Sequence, residues 1–364
     1  MEETSKYLDN HDKYMTFALD LAKKGRGSVS PNPLVGCVIV KDGKIIGEGY
    51  HSKFGGDHAE VDALKNCTES PHGASLYVNL EPCNLQGKTP PCTKMIIGNS
   101  ISSVYIGVKD LNPQVNSTGI RELEDAGIEV VSGILHDKCF ELNKAFFKWI
   151  NNQIPYVIAK IAQTKDGFMG KDDKSSIWIT GDKTKEHVHN LRSKVDAIMI
   201  GRNTAQIDDP QLTVRKVAGN NPKRIILDTN RVLPLTLNIF NDKDAETFIM
   251  CSDKRFVDNK TSFCKFLTVK EKELMLDPYD ILKKIAREGV TSVLIEGGPK
   301  VHQSFIKENL IDEIYIYTSD KKIKGAMLKT PFVIDDSWTI NEEVYLEEDL
   351  LTIMRKKEPC LQES

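Results

Sequence analysis

Val35-Gly-Cys-Val-Ile-Val-Lys-Asp-Gly-Lys-Ile-Ile-Gly-Glu-Gly-Tyr50 is two apolar runs flanking Lys41-Asp-Gly-Lys44, a strong β-hairpin signal. Upstream, the turn Ser30-Pro-Asn-Pro33 leads into the first run. Before it, Tyr14-Met-Thr-Phe-Ala-Leu-Asp-Leu-Ala22 carries apolar residues at helical spacing and ends at Gly25 and Gly27. The polar residues before Tyr14 read as a frayed start. Downstream, a helix is expected over about 58–66, a strand over 75–80, a cysteine-bearing loop and short helix up to Ile97, and a strand over 103–108. A helix over 119–126 and a strand over 129–131 complete an alternation that argues for an α/β layer fold. Glu141 to Ile150 reads as a closing helix, broken by Asn151-Asn-Gln-Ile-Pro155. Two domains are therefore expected, 1–150 and 151–364. The second adds strands over 156–162, 197–201, 224–228, 247–251, 292–296 and 313–317 and a helix at about 183–193, a mostly parallel or mixed sheet covered by helices.

The 364 residues suffice for about two cores of ordinary domain size. Lys and Arg number 49 and Asp and Glu 52, a net charge of −3 that lies entirely in the first 150 residues. Neither half has the basic excess of a protein whose affinity rests on many phosphate contacts, so nucleic acid is not an expected partner. Met1 to Met15 lacks a basic segment followed by an apolar one, so no secretory signal is read there. The most apolar stretches, such as Val35 to Val40, are far shorter than the ~18 residues that cross a bilayer. Eight scattered cysteines do not make a disulfide scaffold. A soluble, cytoplasmic protein is expected, with clustered cysteines serving as metal ligands or nucleophiles. Cys37, within a valine-rich strand, reads instead as a packed core thiol.

The cluster is His58-Ala-Glu60, Pro82-Cys83 and, eight residues further on, Pro91-Cys92. One imidazole and two thiolates are three protein ligands for tetrahedral zinc, leaving the fourth position for water. Zinc lowers the pKa of that water to about 7, which makes hydroxide available at neutral pH. Glu60 sits beside the ligand His58, where it can shuttle protons without binding the ion. His-x-Glu followed by Pro-Cys-x-x-Cys is a signature of zinc nucleobase deaminases, and here the cysteine spacing is longer. A purely structural site would normally be closed by a fourth protein ligand. His51 and His72 are the local candidates, and neither sits in a paired motif.

Pro31-Asn-Pro-Leu-Val-Gly-Cys-Val-Ile-Val40, Gly49-Tyr-His51, His58-Ala-Glu-Val61, Leu80-Glu-Pro-Cys83 and Gly87-Lys-Thr-Pro-Pro-Cys92 resemble the bacterial bifunctional riboflavin-biosynthesis deaminase–reductases. Lys165-Asp-Gly167, Trp178-Ile-Thr180, Gly201, Thr204, Asp208-Asp-Pro-Gln-Leu-Thr-Val-Arg215 and Glu296-Gly-Gly-Pro299 extend the resemblance over nearly the whole chain. It implies a cytidine-deaminase-like α/β/α domain followed by a dihydrofolate-reductase-like α/β domain. The first would hydrolyse the 2-amino group of 2,5-diamino-6-(5-phosphoribosylamino)pyrimidin-4-one, using Zn2+. The second would use NADPH to reduce the ribosyl group, giving 5-amino-6-(5-phosphoribitylamino)uracil.

By the same resemblance, His58, Cys83 and Cys92 hold zinc and Glu60 is catalytic, while Asn32, His51, Lys88 and Thr89 meet the substrate. In the second domain, Ala162, Trp178, Thr204, Asp208, Thr229 and the stretch Gly298, Pro299, Lys300, Val301, His302, Gln303 and Ser304 would contact NADPH. Ser176, Arg192, Leu212, Arg215 and Glu296 would contact substrate. The expected partners are a small phosphorylated pyrimidine and further copies of the chain, with no nucleic acid and no membrane. Two departures stand out: Asn84-Leu85 replaces the family's usual Ser-His, and Ser117 stands where the family usually keeps glycine.

Bottom-up support for the second half is thinner. No Gly-x-Gly-x-x-Gly follows a strand. Val293-Leu-Ile-Glu296 instead runs into Gly297-Gly298-Pro299 and a helical pattern over 301–308, where backbone N–H groups can approach a phosphate. Arg192 and Arg215 suit a phosphate, and Lys160 and Asp208 are the nearest candidates for a proton donor. The competing readings are a zinc nucleoside or nucleobase deaminase with a non-functional reductase-like domain, and a non-catalytic protein whose zinc holds the fold.

Overall fold

Asp42 and Gly43 both take positive φ, 49° and 76°, the geometry of a two-residue hairpin turn. They join β1 (Gly36–Lys41) to β2 (Lys44–Tyr50) in antiparallel register. The computed structural model describes residues 2–85, 90–112, 116–171, 177–255 and 264–357, with side chains from residue 10 onward. The chain divides into two compact units, Met1–Gln153 and Ile154–Ser364, and the division falls inside the helix-breaking run 151–155.

Unit one adds α1 (Glu2–Lys23), α2 (Ala59–Lys65), β3 (Ser75–Leu80), α3 (Cys92–Gly98), β4 (Ser103–Val108), α4 (Thr118–Asp125), β5 (Glu129–Ser132) and α5 (His136–Asn152). Its sheet runs β2-β1-β3-β4-β5, with β1 antiparallel to both neighbours and β3, β4 and β5 parallel. Strand alternation sends Cys37 and Ile39 to one face, against Ala59 and Ala63 of α2, Ile96 of α3 and Leu123 of α4. Val38 and Val40 point to the other, against Met15 and Leu19 of α1 and Phe147 of α5. The result is an α/β/α sandwich, with Cys37 buried in its core as expected. Helix α1 lies so close to β1 that a Cβ at Gly36 would stand 2.1 Å from the Ala18 carbonyl oxygen. The polar start read as frayed is helical from Glu2: once Tyr14–Ala22 docks, each preceding residue adds a hydrogen bond without a new nucleation cost.

Unit two contains β6 (Tyr156–Thr164), β7 (Phe168–Gly170), α6 (Asp182–Arg192), β8 (Ala197–Gly201), α7 (Arg202–Asp208), β9 (Lys223–Leu227), α8 (Asn238–Asn241), β10 (Thr247–Ser252) and β11 (Cys264–Val269). It continues through β12 (Glu271–Lys272), β13 (Met275–Leu276), α9 (Pro278–Arg287), β14 (Ser292–Gly297), α10 (Pro299–Lys307), β15 (Glu313–Ser319), β16 (Leu328–Lys329), β17 (Trp338–Leu346) and β18 (Asp349–Lys356). The main sheet runs β11-β10-β9-β8-β14-β6-β15-β18-β17, parallel up to β15 and antiparallel for the last two strands. The β17–β18 hairpin was not expected, because β17 is solvent-exposed over most of its length and lacks an apolar alternation. Chain direction through the sheet reverses around β8, β14 and β6. The carboxyl ends of these strands are where an open α/β sheet presents a ligand crevice.

Candidate active sites

The site in unit one is built at the amino ends of two helices. His58 caps α2 in extended conformation, and Glu60 lies in the first turn of that helix, 3% exposed. Cys83 follows Pro82 in the loop after β3, and Cys92 is the first residue of α3, fully buried. The ligand atoms of His58, Cys83 and Cys92 all lie within 4.8 Å of one another. His58 Nδ1 is 3.2 Å from Cys92 Sγ and 3.5 Å from Cys83 Sγ. Zinc bond lengths of ~2.05 Å to nitrogen and ~2.3 Å to sulfur require an N···S separation of about 3.6 Å at a tetrahedral angle. The three side chains therefore fit zinc with only small adjustment. A hydrogen bond from Cys92, with His58 nearby, holds the Cys83 thiol well below its usual range, and Cys92 is raised in return. Burial pushes the Glu60 carboxyl up to about 7.

Two neighbours expected to meet substrate have their polar atoms already oriented. His51 Nδ1 stands 2.8 Å from the Asp57 carbonyl oxygen and must donate to it. Nε2 is then an acceptor, and Asn32 Nδ2 donates to it at 3.0 Å, which leaves Asn32 Oδ1 free to accept. Burial lowers the His51 pKa, which keeps the ring neutral. Buried Asn79 and Asn143 hold the Asn32 segment from behind. Leu34 N donates to Asn143 Oδ1, and both amides donate to the Leu34 carbonyl. Lys88 and Thr89 lie outside the described residues.

Sequence reasoning passed over Glu81. Its buried carboxylate accepts four backbone N–H groups, from Asp110, Ser117, Gly119 and Ile120, and so clamps the loop after β4 beside Pro82-Cys83. Its place before Pro82-Cys83 was the only available signal. Ser117 takes φ 61°, a left-handed conformation that glycine adopts without steric cost, which accounts for the family's usual residue there. Asn84 Oδ1 accepts from Thr118 Oγ1 at 3.0 Å, and Leu85 is exposed.

Unit two holds a cleft of about 1200 Å3 at the carboxyl ends of β6, β8 and β14. It is lined by Ala162, Trp178, Thr204, Asp208, Thr229, Gly298, Pro299, Lys300, Val301 and Ser304 from the expected cofactor set, and by Arg192, Leu212, Arg215 and Glu296 from the substrate set. Lys160 and His189 line it as well. Trp178 is 71% exposed, with Lys185 Nζ 4.7 Å from its ring centroid, so it stands at the cleft and not in the core. A Cβ at Gly201 would meet Val301 at 2.8 Å, and one at Gly298 would meet Thr204 Oγ1 at 3.1 Å, so α10 begins close against β8 and α7.

His302 and Gln303 depart from the expectation that the whole stretch 298–304 faces the cofactor. Successive helical residues turn by about 100°, so α10 directs His302 into the core, Nε2 3.2 Å from the Ile295 carbonyl oxygen, and Gln303 into solvent. Ser176 lies outside the described residues.

Arg192 and Glu296 form a bidentate pair, Nε–Oε1 2.6 Å and Nη2–Oε2 2.8 Å, with side chains 12% and 8% exposed. Burial opposes the Glu296 charge, but Arg192 outweighs it and holds the carboxyl below its ordinary value. Lys160 is lowered by burial, against the attraction of Glu296.

An α/β/α unit with a His-Cys-Cys triad and an adjacent buried glutamate defines a zinc-dependent deaminase of the cytidine-deaminase class, here on one chain with a second α/β unit. Residues 8–108 match the cytidine and deoxycytidylate deaminase zinc-binding region, and residues 155–332 match the RibD C-terminal domain. The chain is 41% identical over 311 residues to the riboflavin biosynthesis protein RibD of Aquifex aeolicus, covering 85% of this chain and 86% of that protein. It is 37% identical over 338 residues to that of Actinobacillus pleuropneumoniae, covering 92% and 90%. A Thermotoga maritima structure described as a diaminohydroxyphosphoribosylaminopyrimidine deaminase/5-amino-6-(5-phosphoribosylamino)uracil reductase superimposes with TM-score 0.86 at 34% identity, over 96% of this chain and all of that one. Acinetobacter baumannii RibD gives 0.85 at 32% identity. The chain belongs to the RibD family of bifunctional deaminase/reductases of riboflavin biosynthesis. Its cofactors are accordingly Zn2+ and NADPH. Among the described residues, no helix is long and apolar enough to cross a membrane.

Proposed function

We propose that residues 1–150 carry out the deamination and residues 151–364 the reduction, each through side chains of its own unit. The observation that carries this reading is that each unit holds a separate set of chemically matched groups. In unit one the set is the zinc triad with buried Glu60; in unit two it is the cleft with Lys160, Arg192, Arg215 and Glu296.

His58, Cys83 and Cys92 would hold zinc, which when bound supplies water acidified to a pKa of about 7. Asn32 Oδ1, oriented through His51, accepts a hydrogen bond from the pyrimidine edge. Glu60 moves the two protons of the water in turn, the first to the ring nitrogen and the second to the departing amine, so that water and the aminopyrimidine become the oxo ring and ammonia. Lys88 and Thr89 would meet the ribose phosphate.

In unit two, Trp178, Thr204 and the start of α10 would hold NADPH, which when bound would supply a hydride for the ribose C1′. As the C1′–O4′ bond opens, O4′ needs a proton, and the reading assigns that role to Lys160, which lines the cleft beside Glu296. Asp208 at the exposed rim is the second candidate. Ser176, Leu212, Arg215 and the Arg192–Glu296 pair bind and orient the ribotide. A cytoplasmic location fits a site that needs reduced thiols, and a homo-oligomer is part of this reading.

Separation of function tests it. Glu60→Gln should abolish ammonia release while leaving NADPH oxidation on the deaminated substrate intact, and Lys160→Met should do the reverse. Loss of both activities in either variant, with the protein folded, would overturn the assignment.

A further inference from the structure

We propose that His189 is a further ligand for the phosphate monoester of the reductase substrate, donating a hydrogen bond through Nε2–H. The inference rests on the reading that the Arg192–Arg215 side of the cleft takes the ribotide phosphate.

His189 lies in the last turn of α6 and borders the cleft. The Arg215 backbone N–H donates to its Nδ1 at 3.1 Å. Nδ1 is therefore the acceptor, and in the neutral ring the proton must sit on Nε2. Among the described residues Nε2 has no protein partner. Burial, together with Arg192 and Arg215, pushes the ring pKa down to about 4, so His189 brings a donor to the cleft without adding a charge.

The neighbouring donors explain why another is needed. Glu296 occupies the Nε–Nη2 edge of Arg192 and cancels its charge, and a third N–H, on Nη1, goes to the Thr213 carbonyl at 3.2 Å. Arg215 spends one N–H on Thr213 Oγ1 at 2.7 Å and keeps its charge for a ligand. Two arginines that look like a double clamp in sequence thus supply one uncompensated cation. A phosphate has three terminal oxygens to satisfy, and Nε2–H of His189 is an uncommitted neutral donor on the same rim. The hydrogen bond from Arg215 N also fixes the imidazole to the very residue that carries the charge.

Two substitutions separate the ring's two roles. His189→Asn keeps an acceptor near the Nδ1 position for Arg215 N and loses the Nε2 donor. His189→Gln keeps a donor near Nε2 and loses the Nδ1 acceptor. Each is assayed by NADPH oxidation with the phosphorylated ribosylaminouracil and with its dephosphorylated counterpart, and ammonia release by the same chain reports an intact unit one. His189→Asn should raise KM for the phosphorylated substrate about tenfold to a hundredfold, as for a lost hydrogen bond to a charged group, with KM for NADPH and for the dephosphorylated compound unchanged. His189→Gln should retain most of the wild-type preference for phosphate.

Wild-type behaviour of His189→Asn with a defective His189→Gln would overturn the proposal and leave the ring only positioning Arg215. A rise confined to KM for NADPH would also overturn it, by assigning the donor to a cofactor phosphate. Arg215→Ala separates the underlying reading: if it too leaves the phosphate preference intact, the substrate phosphate binds elsewhere. If it abolishes the preference while His189→Asn does not, only the role of His189 fails.

Discussion

Replacing Arg192 by methionine should destabilise unit two far more than a surface substitution would. The side chain makes two charge-assisted bonds of 2.6 and 2.8 Å to Glu296, and both partners are nearly buried. Methionine fills much of the space but strands the carboxylate, with Lys160 nearby as a partial compensation. Removing one partner of such a pair costs about 3–5 kcal/mol. Unit two has about 210 residues, which at ~2.1 cal/mol/K per residue gives an unfolding entropy near ~0.44 kcal/mol/K and a fall in Tm of about 7–11 °C. Differential scanning calorimetry measures this, with the unit-one transition as internal reference. Arg192→Met combined with Glu296→Gln should recover a large part of the loss, because neither charge is then stranded. The pair's contribution is complete above the ordinary glutamate value of about 4.3 and fades as pH falls through the lowered folded pKa of Glu296. A shift below about 2 °C, or strict additivity in the double variant, would refute the reasoning and make the pair a solvent-screened contact.

Three further outcomes are expected. Cys92→Ala should lose stoichiometric zinc by metal analysis and with it ammonia release, while reduction of the deaminated substrate persists. Buried His302 has its pKa pushed down to about 4 by burial, so between pH 6.5 and 4 the unfolded chain binds a proton that the folded one refuses. Of the stability that unit two loses between pH 6.5 and 4 in urea titrations, His302 should account for about 3 kcal/mol, and His302→Leu should remove that share while the share of His189, pushed down to the same value, persists. Gly36→Ala should cost unit one about 3 kcal/mol, at the upper end for overpacking, because the new methyl group would meet backbone atoms of Ala18 and Ala22 at 2.1 and 2.6 Å. Circular dichroism melts of the variant check it.

Much of unit one was legible because its signals are local. Asp42-Gly43 dictates a hairpin by backbone geometry alone, and alternation in Cys37–Val40 assigns both faces of β1. The triad was legible because His58, Cys83 and Cys92 are rare residue types in a spacing that few other chemistries use. What sequence did not reveal depends on long-range partners. Glu81 reads as part of a motif until its carboxylate is seen holding four N–H groups up to 39 residues away. Asn143 finds Leu34 across 109 residues.

In unit two, the sequence marks Arg192 and Arg215 as two cations and does not disclose that Glu296 neutralises one of them. A lone histidine such as His189 belongs to no motif in the sequence, and only tertiary geometry separates the roles of its two nitrogens. The β17–β18 hairpin was missed for a different reason: an exposed edge strand needs no apolar pattern to pair.

The central claim is that one chain performs the two reactions in order, the first at the zinc triad and the second in the cleft of unit two. Mass spectrometry of the product, after zinc-loaded protein meets the diaminopyrimidine ribotide with and without NADPH, tests it most directly. Without NADPH, an amino-to-oxo change should appear and stop there; with NADPH, the same species should gain two hydrogens. Gain of hydrogens without deamination, or no change in folded, zinc-bound protein, would contradict the account.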